Sequence, residues 1–230
     1  MIRDLLLAGV GGIIVGIVSL NYLQSLPLLA GILAGFGFYS GSCSLLMALL
    51  MVWSSKVGKL RERENLLNSI EWRGNETVLD VGCGRGLLLN GVARRLTTGK
   101  AIGVDIWHKE DQSGSNPDVT AANARIEGVT DRIEIKNGDA RQLPFPNKSF
   151  DVIVSSLVLH NIYDDDDRAK ALHEIVRVLK PGGEVHIADI QHTRAYSQAF
   201  SDAGLQNVRR SGFHFWIIPP VRVVSGTKPK

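Results

Sequence analysis

The residues of this chain best suited to hold a ligand are three aspartates set beside glycines. Gly82, Gly84 and Gly86 sit at alternate positions directly after Asp80-Val81. A glycine has no Cβ, so the backbone can turn tightly and come close to a bound group. Asp80 is placed to meet a cationic or hydrogen-bond-donating group. Asp105 lies 19 positions after Gly86. An acid at this place in nucleotide-binding sheets accepts hydrogen bonds from ribose hydroxyls, the alternative being a turn or helix cap. Asn137-Gly138-Asp139-Ala140 presents a third acid in a turn. For proton transfer the candidates are His160 and then His192, with His108 more peripheral. Histidine suits general acid–base chemistry near neutral pH. The alternative for His160 is a packed histidine beside a turn.

These residues need a sheet to bring them together. Thr77–Val81 is short, β-branched and apolar, a buried strand, and Leu87–Leu96 is apolar at helical spacing. Further strands are expected at Lys100–Ile106, Arg132–Lys136, Phe150–Ser156 and Glu184–Ile190, then at Leu205–Ser211 and Val221–Ser225. Lys109–Pro117 reads as a loop and Asp118–Glu127 as a helix. Asp164–Asp167 reads as a helix start, which favours acids near its free N–H groups, rather than as a metal site. Lys180-Pro181-Gly182-Gly183 stops that helix before the fifth strand. Trp107 could pack on an adenine face or cover the sheet edge. His160 follows the fourth strand, at the end where open α/β sheets place ligands. Phe213–Pro220 is an apolar aromatic link with no clear backbone state.

A dinucleotide fingerprint would put its third glycine at position 87, which is leucine. The Gly-x-Gly-x-Gly form, with Asp105, Gly138-Asp139-Ala140, Phe150–Asn161 and Leu179–Gly183 in order, resembles the class I S-adenosylmethionine-dependent methyltransferases over about residues 66–227. Within that family it is most similar to the small-molecule group that includes quinone and sterol methyltransferases. The resemblance implies a Rossmann-like α/β fold with seven strands ordered 3-2-1-4-5-7-6, the last antiparallel. It implies S-adenosyl-L-methionine as cofactor, held by Asp80, Gly82, Cys83, Gly84, Gly86, Asp105, Ile106, Asp139, Ala140 and Ser155. In that frame Asp80 orients the methionine amino group, Asp105 binds the ribose and Asp139 with Ala140 the adenine. His160 and His192 are the candidate catalytic residues. Ser155-Ser156-Leu157-Val158 stands where amino-methylating enzymes carry an Asn-Pro-Pro-Tyr type motif, which counts against that chemistry.

Composition divides the chain in two. No charged residue occurs between Asp4 and Lys56, and beyond Lys56 the sequence is that of an ordinary soluble domain. Leu5–Leu20 and Leu28–Trp53 are apolar runs separated by a polar turn with Pro27. As a helix the second run spans about 39 Å, enough for a hydrocarbon core of about 30 Å. The reading is a transmembrane helical hairpin over residues 1–55, a basic juxtamembrane linker or helix over 56–73 and the methyltransferase domain over 74–230. A signal peptide or a buried soluble helix pair are the alternatives. Gly12 and Gly16, Gly31 and Gly35, and Gly37 and Gly41 recur four apart, a spacing that permits helix–helix contact, self-association included. Lys56, Lys59, Arg61 and Arg63 follow Trp53, which places that flank and the domain on the cytoplasmic side.

Net charge is +3, from 26 basic and 23 acidic side chains, too mild for a dedicated nucleic-acid surface. Cys43 and Cys83 are far apart, so neither a disulfide scaffold nor a metal site is indicated. The expected function is methyl transfer to a small lipophilic or membrane-associated acceptor, by O- or C-methylation. The alternatives are methylation of a soluble small molecule or a membrane protein, or a non-catalytic cofactor-binding partner of another membrane protein.

Overall fold

The computed structural model describes residues 2–107 and 116–230. His108 and most of the expected 109–117 loop lie outside the described residues. The chain divides into two compact units, one of residues 1–59 with Trp216–Ile218 and one of residues 60–215 with 219–230.

The first unit is a helical hairpin. Helices α1 (Ile2–Tyr22) and α2 (Pro27–Trp53) are joined by a tight turn in which Leu26 N–H donates to Leu23 O. Gly9 and Gly12 face Gly41, and Gly12 and Gly16 face Gly37, so the two helices run antiparallel. A Cβ at Gly12 would stand 2.8 Å from both Gly37 O and the Gly41 Cα. The close backbone approach therefore uses two of the three small-residue pairs in the sequence. Gly31 and Gly35 point into open space instead. Both helices are long and apolar enough to cross a membrane. Trp53 packs against Trp216 with ring centroids 6.0 Å apart, and Ser54 Oγ accepts from Ile218 N–H.

A π-helical turn at Ser54–Gly58 connects α2 to α3 (Lys59–Asn68). Leu66, Leu67 and Ile70 are buried in the core of the second unit. Gly91 leaves room for Leu67 and the Arg63 stem. Buried Glu62 meets His214 Nδ1 at 2.7 Å. The basic stretch expected to be a linker or helix contains the helix α3, with Leu66 and Leu67 packed.

The second unit holds a seven-stranded sheet in the order β3-β2-β1-β4-β5-β7-β6. Its strands are β1 (Thr77–Val81), β2 (Lys100–Asp105), β3 (Ile133–Asn137), β4 (Phe150–Ser156), β5 (Leu179–Asp189), β6 (Gln206–Arg210) and β7 (Arg222–Thr227). All neighbours pair in parallel except β7, which is antiparallel to β5 and β6. Helices α4 (Leu87–Ala93), α5 (Pro117–Ile126), α6 (Asp165–Val178) and α7 (Thr193–Asp202) complete it. Two apolar cores line the sheet, one against α6 and α7 through Leu172, Ile175, Tyr196 and Phe200, the other against α3 and α4. Asp164 caps α6 by accepting from Asp167 N–H at 2.9 Å, the role expected of the acidic run.

One element differs from its expected form. Lys180–Gly183 does end α6, but as part of β5 and not as a loop before it. The pairing of β4 with β5 jumps from Phe150–Leu179 to Val152–Glu184, so the intervening residues bulge. Gly182 takes φ +79 and its N–H donates to Lys228 O, while Lys228 N–H donates to Gly183 O. Pairing with the distant C-terminus holds the bulge extended.

Candidate active site

Every candidate residue in the described sheet lies at or near the carboxyl ends of β1 to β5. Three non-glycine residues just beyond those ends have left-handed backbones: Trp107 after β2 (φ 56), Leu157 after β4 (φ 59) and His192 after β5 (φ 56). Such conformations persist where surrounding structure holds them, and they gather at functional sites. Here they turn the chain sharply along a single edge.

The glycine loop is fixed from behind. Gly82 and Cys83 N–H both donate to Val104 O, and Gly84 N–H donates to Asp105 Oδ2 at 2.8 Å. Thr120 Oγ1 donates to Gly84 O at 2.6 Å and Asn123 to Arg85 O, so α5 braces the same loop. Gly82 takes φ +73, and a Cβ there would run into the Val158 side chain. The Cys83 thiol turns away from the loop surface into the space that Gly103 leaves beside Leu89, where burial pushes its pKa up. It is a packing group and offers the site its backbone alone.

Asp80 is 2% exposed, and its Oδ2 is buried with no hydrogen-bond partner. Burial, with the Asp105 charge adding to it, pushes its pKa up to about 8. A carboxyl so placed keeps its proton at neutral pH unless a cation favours the ionised form. Asp105 accepts from Gly84 N–H and, through Oδ1, from Trp107 N–H at 2.7 Å, which leaves lone pairs on both oxygens for hydroxyl donors. Ile106 beside it is exposed and apolar, and the Trp107 indole N–H donates to Asn137 Oδ1. Asp139 is held by Arg141, whose Nε and Nη2 both reach it; this pairing keeps its carboxyl below the usual range. Arg141 also bridges to Asp167 at 2.7 Å. Ala140 is half-buried next to it. Ser155 is fully buried, and its hydroxyl donates to Val81 O at 2.8 Å, which ties β4 to β1.

Of the two histidines, His160 is the one built into a cluster. Its Nδ1 lies 2.5 Å from Asp189 Oδ1, and its backbone N–H donates to Asp189 Oδ2. Asp189 ends β5, is 1% exposed, and also accepts from Ile190 N–H and the Tyr196 hydroxyl. Burial and the neighbouring Asp189 charge push the Tyr196 pKa up, so the phenol keeps its proton and donates it. With Nδ1–H donating to Asp189, Nε2 carries the lone pair. His192 is exposed and begins α7, its carbonyl accepting from Tyr196 N–H, with no side-chain cap bond. Asp189 and Tyr196 escaped sequence reading, although Asp189 follows the same pattern as Asp80 and Asp105: an acid closing a buried apolar strand.

Residues 79–187 match the family model described as a methyltransferase domain. The demethylmenaquinone methyltransferase of Tropheryma whipplei is 34% identical over 161 residues, covering 64% of this chain and 61% of that protein. The 27-O-demethylrifamycin SV methyltransferase of Amycolatopsis mediterranei is 29% identical over 170 residues, covering 70% of this chain and 56% of its own. The chain spans about half the length of the curated relatives it matches. Among solved structures, a SAM dependent methyltransferase from Aquifex aeolicus aligns with TM-score 0.57 at 19% identity, over 74% of this chain and 90% of that one. The [4+2]-cyclase SpnF aligns with TM-score 0.58 at 18% identity, over 74% and 81%. These structural likenesses speak to fold, not to chemistry. Strand order, glycine loop and matched segment together are similar to those of the class I S-adenosylmethionine-dependent methyltransferases.

The residues fit that cofactor. Its sulfonium and amino groups are cationic, and Asp80 Oδ2 is a buried acceptor lacking a partner. Gly82 makes the tight turn at φ +73 with Val158 packed directly against it. Asp105 has lone pairs left for a ribose, and Ile106 an exposed apolar face for an adenine.

Proposed function

We propose that the domain methylates a hydroxyl or acidic carbon of a small, lipophilic acceptor, and that the N-terminal hairpin anchors it in a membrane with the domain on the cytoplasmic side. The observation that carries the reading is the His160–Asp189 pair beside the glycine loop's sheet edge. S-adenosylmethionine, when bound, supplies an electrophilic methyl group. The chain's own part is to align the acceptor with it, exclude water and remove a proton. His160 Nε2 takes that proton. Asp189 keeps Nδ1–H in place and stabilises the imidazolium that results. Asp80 holds cationic cofactor groups, the Gly82–Gly86 backbone cradles the methionine part, Asp105 binds the ribose, and Ile106, Asp139 and Ala140 border the adenine. His192, one turn from Tyr196, borders the acceptor side.

The relatives named for demethylmenaquinone and 27-O-demethylrifamycin SV support a small organic acceptor. The hairpin supports the membrane. Only 17% and 22% of its apolar windows are buried, unlike core helices of a soluble protein. Leu7, Leu28, Phe36 and Tyr39 expose apolar surface that water disfavours. Trp53 and Trp216 form an aromatic pair of the kind that sits at membrane interfaces, followed by Lys56 and Lys59. Gly31 and Gly35 remain available for contact with a second copy within the bilayer. Membranes incubated with the chain and methyl-labelled S-adenosylmethionine will carry label in the organic small-molecule extract. Label confined to protein would defeat this acceptor reading.

A further inference from the structure

Three arginines gather at the same sheet edge, and none of them forms an ion pair among the described residues, although Asp189 shares the face of Arg222. Strand β7 is antiparallel to both β5 and β6, so the start of β7 and the end of β6 lie beside the end of β5. Arg222 is directly opposite Asp189 in the β5–β7 register, and Arg210 is opposite Val224. Residues two apart along a strand, and residues directly opposite, share a face. Arg210 and Arg222 therefore stand on one face, the face that α7 covers through Tyr196 and Phe200 against Val224. Arg210 Nε donates to Thr193 Oγ1 at 2.9 Å, which brings it to the first turn of α7 next to Arg194.

Arg222 is held in place without an acid. Its guanidinium carbon lies 3.8 Å from the Phe213 ring centroid, and Nη1 donates to Ser211 O. Its Nε is buried with no partner. Among the described residues none of Arg194, Arg210 and Arg222 makes an ion pair with a carboxylate. Slight desolvation, and then the Arg222 and Arg194 charges, push the Arg210 pKa down from its ordinary value. Three like charges at one edge repel each other, and an anion placed among them relieves that repulsion and accepts from their N–H donors.

We infer that Arg194, Arg210 and Arg222 form a receptor for an anionic phosphate- or carboxylate-type group, carried by the methyl acceptor and docked on the β5–β7 side of His160. That assignment to the acceptor rests on the methyltransferase reading above. The anion site itself rests on the arginine geometry. The guanidinium forks suit the oxygens of such a group, and fixing one end of an acceptor presents its other end to His160.

The test uses the full chain in phosphatidylcholine nanodiscs, with arginine Nε–Hε resonances followed as inorganic phosphate is added. Saturable shifts of Arg194, Arg210 and Arg222 are expected. The Arg194→Gln/Arg210→Gln double variant, in which both replaced side chains are exposed, should weaken phosphate by about tenfold or more and leave S-adenosylmethionine affinity and the melting temperature unchanged. Arg210→Lys should restore part of the affinity. A second arm replaces part of the phosphatidylcholine with phosphatidylglycerol. Shifts already present there, and insensitive to added phosphate, assign the anion to a lipid headgroup. Shifts with free phosphate alone assign it to a soluble group. Absence of saturable shifts in both arms, with S-adenosylmethionine still bound, overturns the inference and spares the function. Phosphate binding without S-adenosylmethionine binding supports the anion site and defeats the function on which its assignment to an acceptor rests.

Discussion

Replacing His160 by alanine lowers methyl transfer by roughly 10²–10⁴-fold while leaving cofactor affinity within about twofold, the loss ordinarily seen when a general base is removed. The separation follows from position. His160 sits in the turn after β4 and bonds to Asp189 on β5, whereas the residues proposed to hold most of the cofactor lie at the ends of β1, β2 and β3 and just beyond them. Asp189→Asn should reproduce most of the loss in turnover and shift the pH–rate profile. The amide cannot stabilise the imidazolium, and it can donate to Nδ1 and so reverse the tautomer. His192→Ala should cost far less, because no buried acid orients that ring. Unchanged turnover in His160→Ala would return His160 to a packed histidine held by Asp189. The measurement is single-turnover transfer to the labelled membrane extract, with cofactor affinity determined separately.

The second large effect is on binding, and it depends on pH. Asp80 is pushed up to about 8 by burial, so in the free protein it carries its proton through neutral pH. A cationic ligand favours the ionised carboxylate, so binding expels the proton. Affinity for S-adenosylmethionine should therefore rise with pH, by up to about tenfold per unit below that value, and level off above it. Asp80→Asn should bind weakly at every pH and lose the slope. Stability moves the opposite way: the native chain keeps a proton that the unfolded chain releases near its ordinary value of 3.8. Between there and about pH 8 the Asp80 contribution to stability falls as pH rises, so Asp80→Asn should flatten the melting curve against pH as it weakens binding. A wild-type affinity independent of pH would show that Asp80 does not meet the cation.

Much of the frame was legible because it is local. The short apolar strands, the alternate glycines, the acids at the ends of β1 and β2 and the acid in the turn after β3 each declare themselves within a few residues. The acidic run before α6 did the same, since an N-cap bond spans three positions. What sequence could not show depends on partners far along the chain. The β5 bulge is held by Lys228, and the basic stretch becomes packed helix because Leu66 and Leu67 find α4. All three small-residue pairs of the hairpin had the same spacing, and only the neighbouring helix decides that Gly37 and Gly41 meet it while Gly31 and Gly35 do not. Asp189 lies 29 residues from His160, and the arginines come from three separate elements. Ser155 and Cys83 illustrate the converse: they occupy motif positions, yet their side chains serve Val81 and the Gly103 gap.

The central claim is that the edge around Asp80, Gly82 and Asp105 holds S-adenosylmethionine. Calorimetric titration of the full chain in nanodiscs with S-adenosylmethionine at pH 8 tests it most directly. Saturable binding to one site per chain, lost in Asp80→Asn and retained in His160→Ala, is the result expected. Absence of saturable binding by the folded wild-type chain would contradict the account.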